Sequence, residues 1–251
     1  MYHKTRRGGG IFKATIKHLM KKIVVANWKM NPLSSSEAEE LSLFADREGV
    51  VVCPPFVFLD SVSRKLEKAK PGAQDCYYEK KGSFTGEISP FMVKDAGCEY
   101  VILGHSERRT ILKESVDIIE KKLFAAFEAR LTPILCIGES EGEEDRAEEV
   151  MREQLSGVNK ELLRSLFIAY EPVFAIGTGN PCSPEVAEKR KNSLRKILKE
   201  KGGNAHGILY GGSVDSKNAL DYLRVGFDGL LVGGTSLKRE EFSRLLDNLG
   251  M

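Results

Sequence analysis

Eight short apolar runs, separated by charged stretches with helical periodicity, constrain the fold of this chain more than any other feature. They occupy 23–28, 50–53, 72–74, 100–103, 133–137, 166–170, 207–210 and 228–232. Their starts lie roughly 22 to 40 residues apart, the length of one strand-plus-helix unit. The runs are continuous rather than alternating, as strands buried on both faces of a parallel sheet must be. Between them, 36–47, 116–129, 184–198 and 238–249 carry apolar residues at helical spacing. The third opens with Ser183 as cap and Pro184 at the first helical position.

Eight such units without a composition break predict a single-domain α/β fold, the (β/α)8 barrel. The runner-up is a doubly wound open sheet, which usually has fewer strands and needs a nucleotide fingerprint. Gly177-Thr178-Gly179-Asn180 lacks the third glycine of that fingerprint and does not open a helix directly after a strand. A length of 251 residues suits one such domain. No apolar run approaches the ~20 residues of a membrane span, so no membrane role is expected.

Charge is distributed unevenly. The formal net charge is +2, yet residues 1–19 hold five basic residues and no acid, which leaves the rest at −3. Residues 1–19 therefore read as a basic extension, disordered or upstream of the true start at Met20, and 20–251 as the barrel domain. A nucleic-acid arm or an organelle presequence would have the same composition, but no aromatic interleaving supports nucleic-acid binding. Cys53, Cys76, Cys98, Cys136 and Cys182 form no C-x-x-C pair. Neither a zinc site nor a disulfide framework is expected, and reduced, buried thiols point to a cytoplasmic protein.

In a barrel the chemistry gathers at the C-terminal ends of the strands. Those positions read Asn27-Trp28-Lys29, Cys53-Pro54-Pro55, Gln74-Asp75, Gly104-His105-Ser106-Glu107, Cys136-Ile137-Gly138-Glu139, Glu171-Pro172, Gly211-Gly212-Ser213 and Gly233-Gly234. Glu171 is either a solvated loop acid or a general base at the barrel mouth. The residues after it favour the base. Pro172, Val173, Phe174, Ala175, Ile176, Gly177, Thr178 and Gly179 combine an apolar middle with ends of proline and glycine, as in a lid that excludes water from a ligand. His105 is a packed core histidine or a neutral imidazole held at a helix start, the turn 106–109 being capped by Ser106. Lys29 suits an anion or a developing oxyanion. The two glycine pairs are plain turns or a phosphate cradle where backbone N–H groups approach closely.

These strings resemble those of the triosephosphate isomerase family. Asn27-Trp28-Lys29-Met30-Asn31, Gly104-His105-Ser106-Glu107-Arg108-Arg109, Tyr170-Glu171-Pro172-Val173, Tyr210-Gly211-Gly212-Ser213-Val214 and Val232-Gly233-Gly234 match it in order, from about Lys21 to Leu249. The resemblance implies a TIM barrel that interconverts dihydroxyacetone phosphate and glyceraldehyde 3-phosphate, a glycolytic and gluconeogenic step, with no metal or other cofactor. It makes Glu171 the base, His105 the electrophile, and Lys29 and Asn27 the groups that stabilise charge on the substrate. Glu107 pairs with the lysine. Gly177, Ser213, Gly233 and Gly234 hold the phosphate. It also implies a homodimer, with Phe84 and Thr85 inserted beside Asn27 and Lys29 of a second copy, and Gln74 and Asp75 at the contact. Three departures stand out. Phe174 replaces the usual lid tryptophan, Asp75 stands where asparagine is common, and the stretch from Glu139 to Glu171 is short. Two other readings are disfavoured: a barrel that binds phosphorylated ligands without turnover, because Glu171, His105 and Lys29 are all present, and an isomerase for a larger sugar phosphate, because the lid is short.

Overall fold

The structure, a computed structural model, describes residues 22–173 and 181–251. The expectations for residues 1–19 and for Phe174 to Gly179 lie outside the described residues. The strands are β1 (Ile23–Asn27), β2 (Val50–Cys53), β3 (Lys70–Ala73), β4 (Tyr100–Leu103), β5 (Thr132–Ile137), β6 (Phe167–Tyr170), β7 (Gly207–Tyr210) and β8 (Gly229–Val232). Each pairs in parallel with the next, and β8 returns to β1 with Val25 opposite Leu231, closing the barrel.

The helices outside it are α1 (Ser35–Ala45), α2 (Leu59–Lys65), α3 (Pro90–Asp95), α4 (Ser106–Thr110), α5 (Val116–Glu128), α6 (Ala147–Gln154), α7 (Lys160–Leu163), α8 (Pro184–Glu200), α9 (Ala219–Arg224) and α10 (Arg239–Leu249). Local signals set their ends. Ser183 Oγ accepts from Val186 N at the start of α8. The α10 helix stops at Gly250, whose φ of 72° suits glycine.

Side chains alternate between two apolar layers, as the period of a strand requires. Val25, Val51, Ile102, Ile134, Ala169, Leu209 and Leu231 fill the barrel interior. Their neighbours Val24, Val52, Val101, Leu135, Ile168, Ile208 and Leu230 pack outward against Leu123, Leu194, Phe242 and other helix residues. Each fully buried aliphatic side chain of this kind contributes roughly 1.5–3 kcal/mol. Gly72 faces the interior, where an added Cβ would sit 2.8 Å from Cys53 Sγ and 2.9 Å from Val51 Cγ1. Only glycine fits there.

Two local expectations need correction. The third strand runs from Lys70 to Ala73 rather than over 72–74, so it contains Pro71 and stops before Gln74. Proline lacks an N–H for the ladder and therefore masks a strand in the sequence. Ser106 does not cap α4. His105 does, its Nδ1 accepting from Glu107 N at 3.3 Å.

Candidate active site

Strand parity aims the first residues of the site. Asn27 follows Val25 by two on the interior face, Glu171 follows Ala169, Gly211 follows Leu209 and Gly233 follows Leu231. All four therefore look into the mouth above the apolar interior. Together with Lys29, His105, Ser213 and Gly234 they line a cavity of about 650 Å³.

Lys29 adopts φ 55°, a left-handed conformation uncommon for a side chain of this kind. Such strain persists only where neighbours enforce it, and here they do. Asn27 Oδ1 accepts from Lys29 N at 3.1 Å. Gln74 Nε2 donates to the Lys29 carbonyl at 2.8 Å and to that of Cys53 at 2.9 Å, tying the ends of β1 and β2 together. Lys29 Nζ lies 2.6 Å from Glu107 Oε1, a pair exposed enough for solvent to screen it. The lysine stem also crosses Gly233, where a Cβ would meet Lys29 Cε at 3.1 Å. The ammonium is thus held at the seam between β1 and β8.

His105 is 6% exposed and Glu171 2%. Because His105 Nδ1 accepts a backbone hydrogen bond, a neutral ring carries its proton on Nε2. Nε2 lies 3.2 Å from Glu171 Oε1. The ring N–H is not aimed at that oxygen, which stays buried without a hydrogen-bond partner among the described residues. Glu171 Oε2 accepts from Ser106 N at 2.9 Å, at the first turn of α4. Base and imidazole are therefore organised by the same short helix.

The backbone of Glu171 is fixed as firmly as its carboxylate. Glu171 N donates to Ile137 O at 2.8 Å. A Cβ on Gly138 would lie 1.9 Å from Glu171 O, so β5 and β6 approach here as only glycine allows. Gln154 clamps the same glycine, accepting from Gly138 N at 2.9 Å and donating to Gly138 O at 3.0 Å. Beneath, burial and the nearby Glu171 push the Cys136 thiol up, which keeps it neutral. Arg109 binds the carbonyls of Gly104 and Cys136, and burial lowers its guanidinium from the ordinary value.

Across the cavity, Gly234 opens a 3-10 turn that runs to Leu237, with Ser236 N donating to Gly233 O at 2.8 Å. Asn218 Nδ2 donates to Ser213 O at 3.0 Å and holds the β7 loop. A helix-like N-terminus beside small residues offers N–H groups to an anion.

Residues expected in the site divide as follows. Asn27, Lys29, His105, Glu171, Ser213, Gly233 and Gly234 meet at one cavity. Glu107 does not line it but touches two residues that do, Lys29 and His105. Pro172 is buried, and Val173 N donates to Glu139 O at 3.1 Å, while Phe174, Ala175, Ile176, Gly177, Thr178 and Gly179 lie outside the described residues. Phe84 and Thr85 are exposed, the Phe84 ring packing 4.9 Å from that of Tyr77. Gln74 spends its amide on the β1 and β2 ends. Asp75 is buried, with both carboxylate oxygens on Lys122 Nζ at 2.9 and 2.7 Å and one 2.9 Å from Arg108. Glu114 contacts the same two cations. Burial, only partly opposed by those cations, pushes the Asp75 carboxyl up to about 6.

The sequence reading missed the roles of Gly138, Gln154 and the Ser106 N–H. Only Gly138 left a trace, as the lone glycine after the fifth strand. Among the described residues no group of three His, Cys, Asp or Glu side chains could hold a metal ion. All five cysteines are buried free thiols, and no described helix is long and apolar enough to cross a membrane.

Comparison with known proteins agrees with this geometry. The family model described as triosephosphate isomerase matches residues 22–249. A triosephosphate isomerase of Dictyoglomus turgidum is 43% identical over 243 residues, covering 89% of this chain and 98% of the relative. One of Aquifex aeolicus is 40% identical over 245 residues, covering 90% and 99%. One of Dictyoglomus thermophilum is 42% identical, covering 89% and 98%. With a closed eight-stranded parallel barrel, a mouth that unites the expected residues and a family match over nearly the whole described chain, this chain belongs to the triosephosphate isomerase family.

Proposed function

We propose that the chain interconverts dihydroxyacetone phosphate and glyceraldehyde 3-phosphate by proton transfer through an enediolate. The carrying observation is the convergence of a buried carboxylate, an imidazole and a fixed ammonium on one cavity that Ser213, Gly233 and Gly234 also line. Backbone N–H groups around Ser213, Gly233 and Gly234 take the phosphate, with Gly177 of the lid completing the set. Anchoring at that end presents the two reacting carbons to Glu171. The carboxylate takes a proton from one carbon and returns it to the other. His105 Nε2–H donates to the substrate oxygen that gains charge, a contribution of ~10²–10⁴ for such positioned acid–base groups. Lys29 and Asn27 stabilise the same charge in a site shielded from water. The lid over 172–179 keeps the enediolate from solvent.

The working unit in this reading is a C2 homodimer in the cytoplasm. Met30, Val57 and Ile111 are exposed apolar side chains at the mouth end of the barrel, 89%, 81% and 70% accessible. An isologous partner would cover them and bring Phe84 and Thr85 beside Asn27 and Lys29. Five reduced thiols suit a reducing compartment. The test is turnover of glyceraldehyde 3-phosphate by purified protein, followed through reduction of the dihydroxyacetone phosphate formed. Turnover with saturation at low substrate is expected. Binding without product would overturn the proposal.

A further inference from the structure

Along β5 the backbone groups of successive residues point to alternate neighbouring strands. Thr132 N donates to Glu99 O at 2.8 Å, so Thr132, Ile134, Cys136 and Gly138 face β4. Ile137 and Glu139 face β6, where Ile137 O accepts from Glu171 N at 2.8 Å and Glu139 O from Val173 N at 3.1 Å. β4, however, ends at Leu103, and its chain turns away at Gly104 with φ 66°. Beyond that point β5 has no strand on its β4 side. The carbonyl of Cys136 and both backbone groups of the buried Gly138 would lack partners there, a costly arrangement inside a fold. Side chains take the place of the strand. Arg109 donates to Cys136 O at 3.2 Å. Gln154 accepts from Gly138 N at 2.9 Å and donates to Gly138 O at 3.0 Å.

A primary amide carries the same donor and acceptor as a peptide group. Gln154 therefore stands in for the missing β4 residue and extends the ladder one step past the strand. It ends α6, and the neighbouring Met151 and Leu155 are fully buried, which fixes where the amide sits. On its other side Gly138 presses on the base, since a Cβ there would lie 1.9 Å from Glu171 O. We propose that Gln154 is a positioning residue for the isomerisation: it completes the β5 ladder at Gly138 and so sets the backbone from which the Glu171 carboxylate reaches the substrate carbon. Gln154 does not line the main cavity, and the Ser213, Gly233 and Gly234 wall lies at the ends of β7 and β8. Its loss should act on kcat and leave substrate binding alone. This inference rests on Glu171 being the base.

The test is Gln154→Met, which keeps the length of the side chain and removes the amide, with kcat and KM measured for glyceraldehyde 3-phosphate. A shift of a few tenths of an ångström, against ~10² in rate for a whole one, gives an expected kcat about ten-fold below wild type with KM unchanged. The same substitution is then made in Glu171→Asp protein, whose carboxylate is already withdrawn. There it should lower kcat by no more than about two-fold, the non-additivity of two changes to one contact. Should Gln154→Met fail to fold, Gln154→Glu keeps the shape and the bond from Gly138 N, loses only the donor to Gly138 O, and is expected to show the same pattern. Wild-type kcat in the folded variant would overturn the proposal. So would an equal fall in both backgrounds, which marks a loss of active protein, or a rise in KM that accounts for the whole effect. Near wild-type turnover by Glu171→Asp alone would instead remove Glu171 as the base, and the two failures are thereby distinguished.

Discussion

Replacing Gly138 by alanine tests how tightly the barrel fixes its base. The added Cβ would lie 1.9 Å from Glu171 O and 2.6 Å from Glu171 C. An ordinary non-bonded contact needs about 3.5 Å, so the ends of β5 and β6 must part by more than an ångström. That movement breaks or stretches the Glu171 N to Ile137 O bond at 2.8 Å and disturbs the Gln154 clamp. Overpacking of this kind costs roughly 1–3 kcal/mol of stability. A misplacement of about 1 Å at a reacting group costs ~10² in rate, equivalent to about 2.7 kcal/mol of barrier. Gly138→Ala should therefore fold with a lowered melting temperature and a kcat about 10²-fold below wild type. Gly203→Ala is the control, because its Cβ would meet nothing closer than Leu163 atoms at 3.7 Å. The measurements are thermal denaturation and steady-state kinetics on both variants. A Gly138→Ala protein with wild-type kcat would refute the idea that the glycine positions Glu171.

Other expectations follow from separate features. The Asp75 carboxyl sits near 6 in the fold against an ordinary 3.8, so between those values the native state holds the extra proton and gains stability as pH falls through 6. Relative to Asp75→Asn, the wild type should gain on the order of 3 kcal/mol between pH 8 and pH 4; a pH-independent difference in denaturant stability would contradict this. Phe84→Asp with Thr85→Arg should leave a monomer with far lower activity, read by sedimentation and kinetics at micromolar concentration, and a dimeric, active variant would remove the interface assignment. A chain beginning at Met20 should fold and isomerise like the full one, whereas an insoluble or inactive product would make the first nineteen residues structural.

The barrel was legible because buried parallel strands are continuous apolar runs, and 50–53, 100–103 and 207–210 match β2, β4 and β7 residue for residue. β3 was misplaced because Pro71 removes the usual strand signature. The short helices α2, α3, α6, α7 and α9 carry too few turns for periodicity to declare itself. In the site, Asn27, Lys29, His105 and Glu171 were legible because strand ends in a barrel point to one mouth. The contacts that hold them were not. Ser106 N meets Glu171 across 65 residues and Gln74 meets Lys29 across 45, and no local pattern encodes such a distance. The identity of the α4 cap belongs to the same class. A serine beside a histidine gives the expected cap, yet the imidazole takes the role, which also fixes its tautomer.

Glu171→Asp tests the central claim most directly. The substitution keeps the charge and shortens the reach by about 1 Å, while the Glu171 backbone, packed against Gly138 and bonded to Ile137, cannot advance to compensate. The measurement is kcat and KM for glyceraldehyde 3-phosphate under conditions where the chemical step limits the rate. A kcat lower by ~10² with little change in KM is expected if Glu171 moves the proton. Near wild-type turnover in that variant would show that the proton is carried by another group.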